Sequence, residues 1–370
     1  MDLNLIRDKI DVLDKEIVNL LEERFELVKS VADYKRENNM AVLDANRESR
    51  IIEKNIGYLE NKDLSNLITK IFKDIFQGSR DFQEDLLSET KIKIPMKIGY
   101  QGVKGSYSEE AALGFFEENN SFISFEKFED VFRAIENQDI EYGVIPLENS
   151  STGGINENID LLNKYGLYIV GEEYLSIRHN LMGLKGSNVE DIETVYSHPQ
   201  AISQCQDFLE NYNDWTKVSY LNTAKSAEFV KNNGHIKCAA IASKRAANIY
   251  GLEILKSNIS DVDNNTTRFV IVGSKIENDS SQNKISIVLS TLHKSGSLFK
   301  VIENFSRYDI NMLKIQSRPI KSKRWEYFFF IDFEGNLADD NVQRAISNIK
   351  ENCIYFKVIG NYEKGNNADE

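Results

Sequence analysis

The stretch Tyr142-Gly143-Val144-Ile145-Pro146-Leu147-Glu148-Asn149-Ser150 begins as a β-like apolar run and ends in three polar residues. Similar runs recur at Lys97–Tyr100, Leu167–Val170, Thr194–Tyr196, Ala239–Ala242 and Arg268–Val272, with helical patterns between them. Short strands alternating with helices predict an α/β domain, here over residues 96–275. The texture differs on both sides. Residues 1–88 carry helical periodicity, with no proline and with Gly57 as the one glycine before Gly78. They predict helices over Leu3 to Arg36, Asn46–Glu60 and Leu64–Asp85, with Asp44 and Asp63 where caps are expected. Pro95 closes a polar linker. Residues 284–362 read as strand (Ile285–Leu289), helix (Gly296–Ser306), strands (Asn311–Ser317, Trp325–Asp332), helix (Asp339–Asn352) and strand (Ile354–Ile359). That βαββαβ order is ferredoxin-like.

Composition bounds the chemistry. The 370 residues are 41% hydrophobic and 28% charged, which suits a multidomain globular protein. No run approaches the roughly 20 apolar residues of a membrane span, and the charged N-terminus has no signal-peptide core. A cytoplasmic location is expected. Cys205, Cys238 and Cys353 are odd in number and far apart, as reduced thiols are. His179, His198, His235 and His293 show no metal-ligand spacing, so no metal or other cofactor is expected. The net charge of −13 argues against nucleic acid or an acidic membrane as partner. An anionic substrate would need cations or helix N-termini gathered locally.

In the helical region Arg24 and Lys35 lie 11 residues apart, about 20° from a whole number of turns, and so share one face. Arg7 lies 17 residues before Arg24, roughly 100° around the helix, so it does not easily point into the same pocket from one helix, and a paired subunit could bring it there. Asp44, Arg47 and Glu48 open the second helix; Ser79 and Gln83 are i,i+4 neighbours on the third. Each alone reads as a solvated charge or polar residue on an amphipathic bundle. As a set, with the opening Leu5-Ile6-Arg7-Asp8-Lys9-Ile10 and Leu13-Asp14, they resemble the all-helical chorismate mutases. Rearrangement of chorismate needs no nucleophile, metal or proton transfer, only a held conformation and stabilised charge at the breaking ether bond. The resemblance implies that Arg24 and a partner's Arg7 clamp the two carboxylates, with Ser79 and Arg47 assisting. Lys35 and Gln83 would then donate to the ether oxygen, and Glu48 and Asp44 would hold the ring hydroxyl.

The α/β region places hydroxyl and amide residues at expected helix starts instead of cations: Gly105-Ser106-Tyr107-Ser108, Ser197-His198-Pro199-Gln200 and Asn222-Thr223-Ala224. Ser197 with Gln200 has the spacing of a capping box, and free N–H groups at helix starts bind anions. Ser or Thr before a helix is ordinarily only a cap. Together with the opening stretch from Gly143 to Ser150, Ala240-Ile241-Ala242 and Asn264-Asn265-Thr266-Thr267-Arg268-Phe269, however, these motifs resemble prephenate dehydratases over Lys97 to Gly273. That family has two α/β lobes about a cleft, like a periplasmic binding protein. The resemblance implies that Thr267 assists departure of hydroxide as carbon dioxide is lost, with Arg268 beside it. Ser106, Ser108, Glu148, Asn149, Ser150, Ser197 and Thr223 would line the cleft, and His198 would serve in capping and packing.

The C-terminal region resembles ACT domains of the dehydratase type. Gly296-Ser297-Leu298-Phe299 stands at the first strand–helix junction and Gln316-Ser317-Arg318-Pro319 follows the second strand. Read plainly, both are tight turns. The resemblance implies phenylalanine bound by Gly296, Ser297, Leu298, Gln316, Ser317, Arg318 and Pro319 across a dimer of these domains. The three resemblances imply one enzyme of phenylalanine biosynthesis that converts chorismate to prephenate and prephenate to phenylpyruvate. It would be feedback-regulated and a homodimer or homotetramer. A sensor that keeps the scaffold without the chemistry would lack Thr267, Arg7, Arg24, Lys35 or Gln83, and all are present. A dehydratase preferring arogenate is the enzymatic alternative.

Overall fold

The computed structural model describes residues 3–37, 45–90, 95–276, 279–320 and 325–365. The chain divides into two compact units, Met1–Ile94 and Pro95–Glu370.

The first unit is helical: α1 (Leu3–Glu37), α2 (Ala45–Gly57) and α3 (Ser65–Thr90), with both α1 and α2 packed on α3. At 35 residues, α1 is about 52 Å long. Its C-terminal half buries Val28, and α3 buries Phe76. Along its N-terminal half Leu5, Ile10, Val12, Leu13, Ile17, Val18 and Leu20 are all exposed and find no cover among the described residues. Asp63 is not the expected cap. Asn61 caps a single 3-10 turn, Lys62–Leu64, by accepting from the Asp63 N–H, and this turn leads into α3. Asp44 lies outside the described residues.

The second unit begins with β1 (Lys97–Gln101), α4 (Tyr107–Phe115), β2 (Ser121–Phe125), α5 (Phe128–Glu136), β3 (Tyr142–Asn149), β4 (Gly153–Gly154), α6 (Asn156–Tyr165) and β5 (Tyr168–Ser176). The chain then crosses to a second lobe: β6 (Asn180–Gly183), β7 (Thr194–Ser197), α7 (Pro199–Ser203), α8 (Gln206–Leu209), β8 (Thr216–Ser219), α9 (Thr223–Asn233), β9 (Cys238–Ala242), α10 (Lys244–Tyr250) and β10 (Glu253–Lys256). It returns as β11 (Thr266–Gly273), inserted antiparallel between β3 and β5. The second lobe has its own sheet, ordered β10-β6-β9-β7-β8. The expected two-lobed α/β architecture is thus present. Strands β2, β4, β6, β8 and β10, each of five residues or fewer, add to the strands expected from the sequence.

The remaining elements are β12 (Lys284–Ser290), α11 (Ser297–Arg307), β13 (Met312–Pro319), β14 (Tyr327–Glu334), α12 (Asp340–Glu351) and β15 (Tyr355–Tyr362), in the ferredoxin-like strand order β13-β14-β12-β15. Alternation along these strands gives two apolar faces. Ile285, Ile287, Leu289, Ile331 and Phe333 pack under α11 and α12. Val288, Phe330 and Tyr362 face the first lobe and share one core with Ile159, Leu162, Ile145 and Val270. Each such side chain contributes about 1.5–3 kcal/mol on burial, so this sheet is fused to the α/β region. A single parallel pair, Gly360 with Ile169, joins the two sheets edge to edge.

Candidate active sites

In the helical unit a cavity of about 470 Å³ is lined by Arg24, Tyr34, Lys35, Arg47, Glu48, Ser79 and Arg80 over an apolar floor that includes Val28 and Phe76. Arg24 donates to the Ser79 hydroxyl. Ser79 in turn donates to the Ile75 carbonyl at 2.6 Å, which fixes its rotamer against α3. The Arg24 guanidinium stands 5.7 Å from the Phe76 ring centroid, and partial burial lowers its pKa. Glu48 is held by an ion pair with Arg80.

In the second unit a cavity of about 350 Å³ opens between the lobes. The first lobe supplies Gln101, Ser106, Tyr107, Ser108, Phe128, Asn149, Thr267 and Phe269; the second supplies His198, Gln200, Gln204, Asn222 and Thr223. His179, in the crossover, lines it too. Among the described residues lining it there is no Lys, Arg, Asp or Glu. Helix ends stand in their place. Ser106 caps α4 by accepting from the Glu109 N–H, and Asn222 caps α9 by accepting from the Lys225 N–H. The remaining orphan N–H groups at both helix starts are of the kind that can bind an anion without a formal charge.

Antiparallel register sets Asn149 opposite Thr267. The Asn149 amide donates to the Thr267 hydroxyl at 2.9 Å and to Asn265 Oδ1 at 2.7 Å. Its own Oδ1 accepts from the Ser151 and Thr152 N–H groups, which defines the amide's orientation. Thr267 is 7% exposed, so its hydroxyl works in a nearly dry wall. Across the cleft, His179 bridges the Tyr107 hydroxyl (3.2 Å from Nδ1) and Gln204 Oε1 (3.0 Å from Nε2). Burial lowers the pKa of both His179 and His198, against the opposing bond from Gln204 in the case of His179. Burial thus disfavours the charged imidazolium form of both, and the donors lining the cleft are neutral groups. Among the described residues no cluster of His, Cys, Asp and Glu could hold a metal ion.

Residues 6–84 match the chorismate mutase type II family model and residues 98–277 the prephenate dehydratase model. The bifunctional chorismate mutase/prephenate dehydratase of Buchnera aphidicola from Acyrthosiphon pisum is 36% identical over 376 residues, 97% of this chain and 96% of that one. The chain belongs to the bifunctional chorismate mutase/prephenate dehydratase family. The chloroplastic arogenate dehydratase/prephenate dehydratase 1 of Arabidopsis thaliana is 40% identical over 283 residues, 72% of each chain. The structure of the prephenate dehydratase from Arthrobacter aurescens in complex with L-Phe superposes with a TM-score of 0.67 at 23% identity, covering 74% of this chain and 90% of that one, and shows the same fold.

In the mutase pocket the structure gathers Arg24, Lys35, Arg47, Glu48 and Ser79 as expected from the sequence. Arg7 is exposed on α1 and does not line it within one chain. Gln83 lies on α3, with its side chain outside the described residues. Arg80 also lines the pocket, and its sequence signal is the i,i+4 spacing from Phe76.

In the dehydratase cleft Ser106, Ser108, Asn149, Thr223 and Thr267 are where expected, and four others are not. Ser197 is fully buried on β7 and donates to the Ile241 carbonyl at 2.7 Å; the cap of α7 is His198, which accepts from the Gln200 N–H. Ser150 fastens the adjacent turn through the Thr266 N–H and the Asn264 carbonyl. Glu148 and Arg268 precede and follow the cleft pair in sequence, so strand alternation turns them to the opposite face. His179, Gln200 and Gln204 went unrecognised because a lone His or Gln carries no pattern; only Gln204, one helical turn after Gln200, offered a hint.

The C-terminal expectation divides in the same way. Gly296 adopts φ +77°, and Ser297 and Leu298 line a cavity of about 120 Å³ with Thr291, His293, Lys294 and Glu326. Ser317 and Pro319 are exposed on β13. Gln316 and Arg318 instead point at the dehydratase lobe, where they donate to Asn156 at 2.9 Å and Asp160 at 3.1 Å.

Proposed function

We propose that the helical pocket rearranges chorismate to prephenate and that the two-lobed cleft converts prephenate to phenylpyruvate in phenylalanine biosynthesis. The observation that carries the second step is the Asn149–Thr267 pair beneath two helix N-termini in a cleft with neutral donors. The helix ends at Ser106 and Asn222 hold the dianion, with Ser108, Thr223 and Gln200 as further donors. Asn149 orients the Thr267 hydroxyl, which donates its hydrogen bond to the departing hydroxide while carbon dioxide leaves and the ring becomes aromatic. The cleft presents no carboxylate among its described residues to pair with the ammonium of arogenate, which favours prephenate; direct competition of the two substrates tests this.

In the mutase pocket Arg24, with Ser79 and Arg47, holds the carboxylates, Lys35 and Gln83 serve the ether oxygen, and Glu48 with Asp44 the ring hydroxyl. Arg7 enters from a second copy. The exposed apolar stripe of α1, from Leu5 to Leu20, supports such a homodimer because it needs a cover of matching chemistry. The C-terminal domain is read as an ACT domain that binds phenylalanine at the Gly296–Ser297–Leu298 turn as feedback effector, and the whole is placed in the cytoplasm.

Lys35→Ala is expected to lower prephenate formation about 10²–10³-fold by removing a donor to the breaking bond, with phenylpyruvate formation from supplied prephenate intact. Unchanged mutase turnover would remove Lys35 from that contact. Gln83→Glu should confine mutase activity to acid, since a carboxyl donates only when protonated, below about pH 4–5. A flat pH profile would reject the Gln83 contact. Purified protein given chorismate alone tests the whole reading: prephenate, then phenylpyruvate, should appear in sequence, the second suppressed by phenylalanine. Appearance of neither product would refute it.

A further inference from the structure

Behind the cleft pair, the register places Glu148 opposite Arg268, and both point toward the C-terminal sheet. Every guanidinium nitrogen of Arg268 is engaged there. Nε donates to Glu172 at 2.7 Å, Nη1 to Asp332 at 2.7 Å and Nη2 to the Tyr362 hydroxyl at 2.8 Å. Lys284 binds the same Glu172 at 2.8 Å, and Ser286 bonds both Asp332 and Tyr362. Two cations thus balance two carboxylates, and none of the four side chains is more than 4% exposed. Glu148 stands 4.0 Å from Arg268 and takes the Lys314 ammonium at 2.7 Å. Lys314, Gln316 and Arg318 occupy alternate positions on β13 and reach the first lobe at Glu148, Asn156 and Asp160 in turn. Strands β13, β14 and β15 therefore hold the back of β3 and β11, whose other face presents Asn149 and Thr267, and β12 holds the neighbouring β5 through Lys284 and Glu172.

We infer that Glu148 and Arg268 are positioning residues through which the C-terminal sheet sets the Asn149–Thr267 geometry, so that a ligand at the Gly296 turn alters turnover without entering the cleft. Packed cores and ion networks move between discrete arrangements rather than deforming continuously, so a small shift of β13 or β14 reaches the cleft strands undiluted. The regulatory half rests on the reading of this domain as a phenylalanine sensor; the positioning half does not. Gln316 and Arg318 become coupling residues rather than ligand contacts, which separates transmission from binding.

Full-length Lys314→Met and Tyr362→Phe proteins test this, since neither residue lines the cleft or the Gly296 turn. In both, kcat for phenylpyruvate formation should fall about three- to tenfold with KM for prephenate within about twofold. The half-inhibitory phenylalanine concentration should rise at least about fivefold while the dissociation constant from equilibrium dialysis stays within about twofold. Mutase turnover in the same samples fixes the amount of active chain. Binding and inhibition weakening together would make these ligand-site residues and overturn the inference, as would two folded variants with unchanged kcat and unchanged inhibition. A wild-type protein that neither binds nor responds to phenylalanine removes the sensor reading alone. The kcat comparison then still decides the positioning role.

Discussion

Thr267→Ala is expected to lower phenylpyruvate formation by about two to three orders of magnitude, the usual effect of removing one donor aimed at developing negative charge. Prephenate formation from chorismate should continue at the wild-type rate, because the mutase pocket belongs to the other compact unit. The expected time course is prephenate accumulating without its successor. Thr267 is small and 7% exposed, and its hydroxyl is bonded to the Asn149 amide, so the variant leaves a buried donor short of one partner at a cost of about 1–3 kcal/mol. A parallel Thr267→Ser protein controls for that: it keeps the hydroxyl and should retain most activity. Wild-type dehydratase rates in the alanine variant would show that the hydroxyl does not serve the leaving group.

The second large effect is on stability. Asp332→Ala leaves the Arg268 guanidinium buried without one of the two carboxylates it donates hydrogen bonds to. Breaking a buried pair from one side costs about 3–5 kcal/mol, which in a unit of this size lowers Tm by roughly 6–15 °C. Calorimetry of the full chain measures it, and a drop below about 2 °C would show that the network is not the seam's main fastening. pH adds an independent check. Burial alone would raise the Asp332 carboxyl, but Arg268, and after it Lys284, hold it below its ordinary value. The folded state keeps it ionised where the unfolded chain has already taken a proton. Its contribution is complete above the ordinary carboxylate value of about 4 and is lost as pH falls through the lowered one. Between about pH 5 and pH 3, wild-type Tm should therefore fall more steeply than that of Asp332→Asn.

Sequence reading succeeded where one local pattern leads to one structure. Apolar periodicity over residues 3–90 specified the helices to within a few residues. The βαββαβ order emerged because short apolar strand segments are separated by two amphipathic helical stripes. Ser106 and Asn222 were legible as caps because capping is decided within four residues. Motif resemblance found Thr267, Asn149, Arg24 and Lys35, since their residue types at those spacings are what the two reactions demand. Tertiary structure alone decided which way each remaining side chain turned. Glu148 and Asn149 are neighbours in sequence, as are Thr267 and Arg268, yet a pleated strand sends consecutive residues to opposite faces. Which face became the cleft depended on β11 returning between β3 and β5 and on the C-terminal sheet covering the far side. His179 and Gln204 gained a role only when the crossover brought two distant segments within 3.0 Å. Local rules fix the elements because their hydrogen bonds close within a few residues. A site assembled across lobes is fixed by burial, which no single segment of sequence contains.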